Sequence, residues 1–174
     1  MLPDRQNHYS DVTIANKQNK FAIDIKTTYR ITNNLVNGMT LGSFTGYFRQ
    51  RNDKKNILYP YNAYDEHYVL GIVYSRSNKI YSNETIFELK DIETIKAPIF
   101  NFEIFFQEKY KIGSDKPGSG NTKNIGSENK IENLIMGNRL FVREFGNEAK
   151  EKFDKYWMNY ETKDMAKNMD RSIP

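Results

Sequence analysis

The sequence contains no cysteine. A disulfide framework and any thiolate-ligated zinc site are therefore excluded, and a reducing intracellular compartment fits better than secretion. No run of about 18 apolar residues occurs, so no membrane-spanning helix is expected. The first ten residues are polar and lack the apolar stretch of a signal peptide, and a soluble, cytoplasmic protein is expected. Arginine and proline are scarce while Lys, Asn, Ile, Tyr and Phe abound, the bias an A+T-rich genome imposes. Neither sign of charge dominates: 26 Lys and Arg face 22 Asp and Glu, for a net charge of +4. That balance is compatible with an anionic partner without demonstrating one.

What is present is the material of a core. Aromatic residues make up 14% of the chain and hydrophobic residues 38%, far from a disordered composition. The 174 residues fit a single domain spanning 1–174.

Strand signals come first along the chain. Val12 to Ile14 is a short apolar run, a polar cluster follows at residues 16–19, and residues 21–29 alternate with a period of two, which predicts a hairpin. Residues 68–74 form a nearly continuous β-prone run, as in a strand buried on both faces. Phe102-Glu103-Ile104-Phe105-Phe106 reads as a further strand. Helical signals come later. Ile131, Leu134 and Ile135 recur at helical spacing within residues 128–136, with Gly137 as a stop. Asn147 is placed to cap a helix running to about Glu161, on which Phe153, Tyr156, Trp157 and Tyr160 form an aromatic stripe suited to core packing. Between strands and helices, residues 113–127 read as a long Gly/Ser/Asn loop. The fold class expected is α/β (α+β), a mixed β-sheet flanked by helices.

The chemistry concentrates in the predicted hairpin. Residues two apart on a strand share a face, so Asp24 and Lys26 project together while Ile23 and Ile25 point into the opposite, apolar side. Antiparallel pairing through the turn brings Asp11 near Asp24. Two carboxylates and an ammonium then converge, the set needed for metal-assisted phosphodiester hydrolysis: the carboxylates hold Mg²⁺, and the lysine positions the nucleophile or stabilises the developing charge. An acidic residue two before a lysine occurs six times, also at Asp53/Lys55, Glu88/Lys90, Glu128/Lys130, Glu148/Lys150 and Glu161/Lys163. The bare pattern is weak, and what singles out Asp24/Lys26 is its strand and the upstream Asp11. The alternative is a solvated Asp–Lys pair on an exposed strand, worth under about 1 kcal/mol.

The glycine-rich stretch lacks the Gly-Lys-Ser/Thr ending of a phosphate-binding loop, so no nucleotide cofactor is expected. It offers flexible backbone amides with Asn121, Thr122 and Asn124, side chains able to read adenine and the thymine methyl. A mobile surface loop is the other reading.

Several blocks match a known family. Gln6-Asn7-His8-Tyr9-Ser10-Asp11-Val12-Thr13 and Ala22-Ile23-Asp24-Ile25-Lys26-Thr27-Thr28-Tyr29 are followed in order by Thr40-Leu41-Gly42, Asn56-Ile57-Leu58-Tyr59-Pro60, Gly71-Ile72-Val73-Tyr74 and Phe106-Gln107-Glu108-Lys109-Tyr110. The most specific are Gly118-Ser119-Gly120-Asn121-Thr122 and Asn124-Ile125-Gly126-Ser127, and the series reaches Tyr156-Trp157 and Asn159-Tyr160-Glu161. Together they resemble the EcoRV family of type II restriction endonucleases, within the PD-(D/E)xK superfamily. The resemblance implies a restriction-endonuclease-like sheet and a homodimer around duplex DNA. It also implies metal ligation by Asp11 and Asp24, catalysis by these with Lys26, and Mg²⁺ as cofactor. Gly118, Ser119, Gly120, Asn121 and Thr122 fall on the major-groove reading loop and Gln6 and Asn7 on the minor-groove loop. Thr27, Lys55 and Asn124 fall near DNA-contacting positions. The implied site is GATATC, cut at its centre to blunt ends, and its central TpA step is easily unstacked. A two-fold dimer reading a palindrome satisfies isologous symmetry.

There are departures. Ser10 replaces the motif proline, Arg5 stands for the first glutamine of the minor-groove loop, Gly46 replaces a serine near the DNA, and residues 50–55 carry a short insertion. The resemblance further implies a helical segment before the hairpin, with another acidic residue and part of the dimer interface, and a longer C-terminus. Residues 162–174 match nothing in it. The expectation is a shortened family member. The leading function is a Mg²⁺-dependent, site-specific DNA endonuclease. A shortened remnant that binds DNA or only folds, and a repair or recombination nuclease of the same fold, are the alternatives; the recognition-like loop speaks against the last.

Overall fold

The computed structural model describes residues 9–43, 59–78, 81–82, 84–118 and 124–160. Strand β1 (Val12–Ala15) turns back into β2 (Lys20–Tyr29), and the two pair antiparallel with Val12 opposite Ile23. The polar cluster between them makes the turn itself. Asn16 Oδ1 accepts the N–H groups of Gln18 at 2.8 Å and Asn19 at 2.7 Å, the local hydrogen bonding that suits asparagine to turns.

After β3 (Thr40–Ser43), β4 (Glu66–Arg76) runs parallel to β2, and β5 (Ile99–Glu108) closes the edge antiparallel to β4. The result is a mixed four-stranded sheet in the order β1-β2-β4-β5. A short helix α1 (Lys109–Ile112) leads into β6 (Gly113–Pro117) and then β7 (Asn124–Ser127), and a second sheet has the order β3-β7-β6. Three helices follow among the described residues: α2 (Ile131–Met136), α3 (Leu140–Phe145) and α4 (Ala149–Asn159). No helix of the described residues is long and apolar enough to cross a membrane.

The inner face of the large sheet and the helices share one core. Ala22, Val69 and Val73 meet Leu41, Ile112, Ile125, Leu134, Phe141, Phe153 and Trp157, all nearly or fully excluded from solvent. The stripe expected on the last helix is part of it, with Phe153, Tyr156, Trp157 and Tyr160 all buried. Gly71 has a packing reason: a Cβ there would lie 2.0 Å from Phe105 Cζ, so the ring of β5 occupies the space a side chain would need.

Several elements differ from the sequence expectations. β4 is not buried on both faces. His67, Val69, Gly71 and Val73 are buried, but Tyr68, Leu70, Ile72 and Tyr74 are only half-buried, because their neighbours Phe102, Ile104 and Phe106 on β5 remain exposed. Within the stretch expected as one long loop, residues 113–117 and 124–127 are paired strands, with Gly113 opposite Ser127 and Pro117 opposite Ile125. The helix expected over 128–136, α2, starts at Ile131 rather than near Glu128. Glu128 instead accepts the N–H groups of Asn129 at 2.7 Å and Lys130 at 3.0 Å, just ahead of the helix. Gly137 ends it as expected, in the left-handed region at φ 64°. Asn147 does not cap the last helix: it lies in a 3-10 turn, Gly146–Glu148, and Glu148 before the helix is itself helical in backbone. No extended N-cap conformation exists there for a side chain to use.

Candidate active site

The register of the first hairpin decides the site. With Val12 opposite Ile23 and Thr13 opposite Ala22, Asp11 lies across from Asp24. The approach to β1 is pinned by Ser10, fully buried, whose hydroxyl donates to the Val12 carbonyl at 2.9 Å and lies 3.0 Å from Thr13 Oγ1. Asp11 Oδ2 then accepts the backbone N–H of Ile25 at 2.6 Å. That bond ties the first carboxylate directly to the strand bearing the second. Lys26, two residues on from Asp24 and so on its face, donates from Nζ to Asp24 Oδ1 at 2.7 Å.

Burial separates this pair from a solvated surface pair. Asp24 is 3% exposed, on the same face as buried Ala22 and Thr28. The opposite, isoleucine face is the more open one, with Ile25 42% exposed. An acid placed on the inner face is poorly solvated. Burial raises the Asp24 carboxyl above the usual carboxylate range, against the opposing pull of Lys109 and then Lys26. Its second oxygen, Oδ2, is buried and has no hydrogen-bond partner.

Lys109, the strongest of those charges, was not singled out by sequence reasoning. It is the first residue of α1 and is 1% exposed. Its Nζ donates to the Tyr9 hydroxyl at 2.7 Å and sits 4.0 Å from the centre of that ring. Tyr9 in turn bonds His67 Nδ1, and His67 Nε2 lies 3.0 Å from the Tyr61 carbonyl. A carbonyl only accepts, so Nε2 carries the imidazole proton and Nδ1 accepts from Tyr9. Burial, with Lys109 adding to it, holds His67 well below its ordinary value and hence neutral. Desolvation also lowers the Lys109 ammonium to about 7, while Asp24 resists the shift. Beyond Tyr61, whose hydroxyl donates to Asp154 at 3.3 Å, burial raises the Asp154 carboxyl to about 6. The signal that could have found Lys109 was a lysine at the junction of an aromatic strand and a helix, in a block matching the family.

The residues present suit a divalent cation. Among the described residues no group of three or more His, Cys, Asp and Glu side chains comes together. Mg²⁺, however, keeps several waters and is held by one or two carboxylates together with substrate phosphate. An orphaned, buried carboxylate oxygen facing a second carboxylate is the donor pattern such an ion requires.

The structure brings Asp11, Asp24 and Lys26 together and places the other expected residues elsewhere. Thr27 is exposed on the opposite face of β2 from Lys26. Gly118 and Asn124 are joined, the Gly118 N–H donating to the Asn124 carbonyl at 2.8 Å. A Cβ on Gly118 would lie 2.7 Å from Thr40 Cγ2, so this pair packs close to β3. Gln6, Asn7, Lys55, Ser119, Gly120, Asn121 and Thr122 lie outside the described residues.

Comparison with known proteins gives this geometry a context. A family model described as restriction endonuclease EcoRV matches residues 1–173. The type II restriction enzyme EcoRV of Escherichia coli is 35% identical over 170 residues, covering 95% of this chain and 66% of that protein. The chain thus spans a little under two thirds of the length of that relative.

Proposed function

The chain belongs to the EcoRV restriction endonuclease family, and from that premise we propose that it is a divalent-metal-dependent, site-specific endonuclease of duplex DNA. The observation that carries the proposal is the Asp11–Asp24–Lys26 arrangement, with one Asp24 oxygen buried and unpartnered beside a lysine that is 26% exposed at its side chain. The relative's printed name, a type II restriction enzyme, supports DNA as the substrate.

In this reading Asp11 and Asp24 hold the cation, Mg²⁺ being the expected one. When bound there, the ion would supply charge to offset the phosphate and would acidify a water. Asp11 is fixed by the Ile25 N–H, so its remaining oxygen has a set direction before substrate arrives. Lys26 is the mobile partner. Its partial exposure lets it exchange the Asp24 carboxylate for the scissile phosphate or the attacking water, stabilising charge that develops in the transition state. Gly118, Ser119, Gly120, Asn121 and Thr122 read the major groove. Gln6 and Asn7 contact the minor groove, and Thr27, Lys55 and Asn124 contact DNA nearby. The site is GATATC or a close relative, cut to blunt ends by a homodimer without a nucleotide cofactor.

The test is incubation of the purified chain with plasmid and Mg²⁺, beside Asp24→Ala and Lys26→Ala. Discrete blunt fragments with ends at GATATC, lost in both variants, support the whole reading. Cutting at another sequence overturns the site but not the nuclease, and specific binding in Ca²⁺ without cutting by any protein supports a DNA-binding remnant instead.

A further inference from the structure

A buried polar group is costly unless it finds a partner, and a fully connected set of them fixes one arrangement. The segment entering β1 carries such a set. Tyr9, Ser10 and Thr13 are 6%, 0% and 1% exposed, and their hydroxyls all bond inward. Ser10 and Thr13 bond each other, and Thr13 Oγ1 lies 3.1 Å from the Tyr64 hydroxyl. The Tyr9 hydroxyl accepts from Lys109 Nζ at 2.7 Å and donates to His67 Nδ1. His67 sits on β4 opposite Ala22 of β2. It stacks on Tyr61 with ring centres 3.6 Å apart and donates from Nε2 to the Tyr61 carbonyl at 3.0 Å. Asp11 stands midway between Tyr9 and Thr13, one residue ahead of the paired register of β1. Its backbone is thus tied to β4 and α1 on one side and to Tyr64 on the other. Apolar side chains of the same shapes at positions 9 and 67 would fill this space with nothing left to satisfy, so packing alone gives no reason for the hydroxyl and the imidazole.

We propose that Tyr9 and His67 are positioning residues, whose buried hydroxyl–imidazole bond holds the entry to β1 so that Asp11 presents its remaining oxygen to a divalent cation beside Asp24. The proposal rests on the metal-dependent reading above. A cation held by only two protein carboxylates depends on each being in place before it arrives, and groups behind a ligand set where it stands. The Ile25 N–H fixes the direction of the Asp11 carboxylate. The Tyr9–His67 bond fixes the backbone from which that carboxylate projects. Neither contact needs a charge. Lys109 donates to the Tyr9 hydroxyl as amine or ammonium alike, and His67, in the tautomer that the Tyr61 carbonyl requires, accepts through Nδ1.

The test is Mn²⁺ binding to the chain without DNA, followed by the paramagnetic resonance signal of the free ion. Tyr9→Phe removes the hydroxyl and keeps the ring, and should weaken Mn²⁺ binding on the order of tenfold, the scale for groups that orient a metal ligand. Asp11→Asn should also weaken it, and Tyr9→Phe should add little in that background, because both changes act through one ligand. His67→Leu should match Tyr9→Phe, whereas His67→Gln, with an acceptor and a donor on one amide, should stay near the wild type. Unchanged Mn²⁺ binding by a Tyr9→Phe protein that melts cooperatively overturns the proposal. So does the same fold loss with and without Asp11, which a general loosening of the structure would give. If Tyr9→Phe does not melt cooperatively, the His67 variants decide, and equal binding by His67→Leu and His67→Gln overturns the proposal. The underlying reading has its own control. If Asp11→Asn and Asp24→Asn bind Mn²⁺ like the wild type, the two-carboxylate site is wrong and the role of Tyr9 falls with it; if they lose binding while Tyr9→Phe keeps it, only the positioning role falls.

Discussion

Replacing Asp24 by asparagine should remove activity and, without metal, make the protein more stable. Asp24 is 3% exposed, Oδ2 has no partner, and Oδ1 is held only by a lysine that is itself partly exposed. Its acid constant is raised by burial despite Lys109 and Lys26, so the folded, metal-free protein disfavours the ionised form. The sign follows from linkage. A carboxyl raised on folding binds more protons folded than unfolded, and stability falls as pH rises from 3.8 through the raised value. Asparagine keeps the shape and discards the charge. Relieving an unsatisfied buried acceptor is worth about 1–3 kcal/mol, and the lost pair with Lys26, whose partly exposed ammonium can turn to water, offsets part of that. At pH 8 no unpaired buried cation results, because Lys109, lowered to about 7, is then mostly neutral. A net gain of about 1 kcal/mol corresponds to roughly 2–4 °C for a domain of this size. The assay is thermal melting in EDTA and again in Ca²⁺. The wild type should gain about 1.4 kcal/mol from an ion at ten times its Kd while Asp24→Asn gains nothing, so the order of the two melts reverses. A variant that melts below the wild type in EDTA and is stabilised equally by Ca²⁺ would refute the reasoning.

Three further outcomes follow from the same contacts. Lys26→Ala should abolish cleavage yet retain Ca²⁺-induced stabilisation, since the lysine touches Asp24 without belonging to the donor set; loss of both would make it a structural residue. Gly71→Ala places a methyl group 2.0 Å from Phe105 Cζ and should cost about 1–3 kcal/mol, read as a lower urea midpoint with an unchanged slope. Asp154, raised to about 6 from 3.8, binds more protons in the folded state between those values, so wild-type stability should fall by on the order of 2 kcal/mol as pH rises from about 4 to 6. Asp154→Asn should flatten that decline in a series of denaturant titrations.

The hairpin was legible in the sequence because its signals are local. Asn16 makes its own turn, and a period of two puts Asp24 and Lys26 on one face whatever surrounds them. Which face is buried was not local. The apolar residues Ile23 and Ile25 suggested the inner side, but the core instead accepts the face of Ala22, Asp24 and Thr28, because the sheet packs that face on the helices. The same kind of long-range contact hid the pairing of β6 with β7, whose Gly, Ser and Asn content reads as loop until Gly113 is seen opposite Ser127. Lys109 was hidden for a related reason. Its place at the end of an aromatic strand is a local signal, but its electrostatic effect on Asp24, 85 positions earlier in a chain of 174, is not.

The most direct test of the nuclease site is single-turnover cleavage of a duplex oligonucleotide containing GATATC, using protein first shown to bind that duplex in Ca²⁺. With Mg²⁺ the wild type should cut both strands, while Asp11→Ala and Asp24→Ala, folded and still able to bind, should leave them intact. Intact strands from a wild-type protein that binds the duplex, or equal cutting by either aspartate variant, would contradict the account.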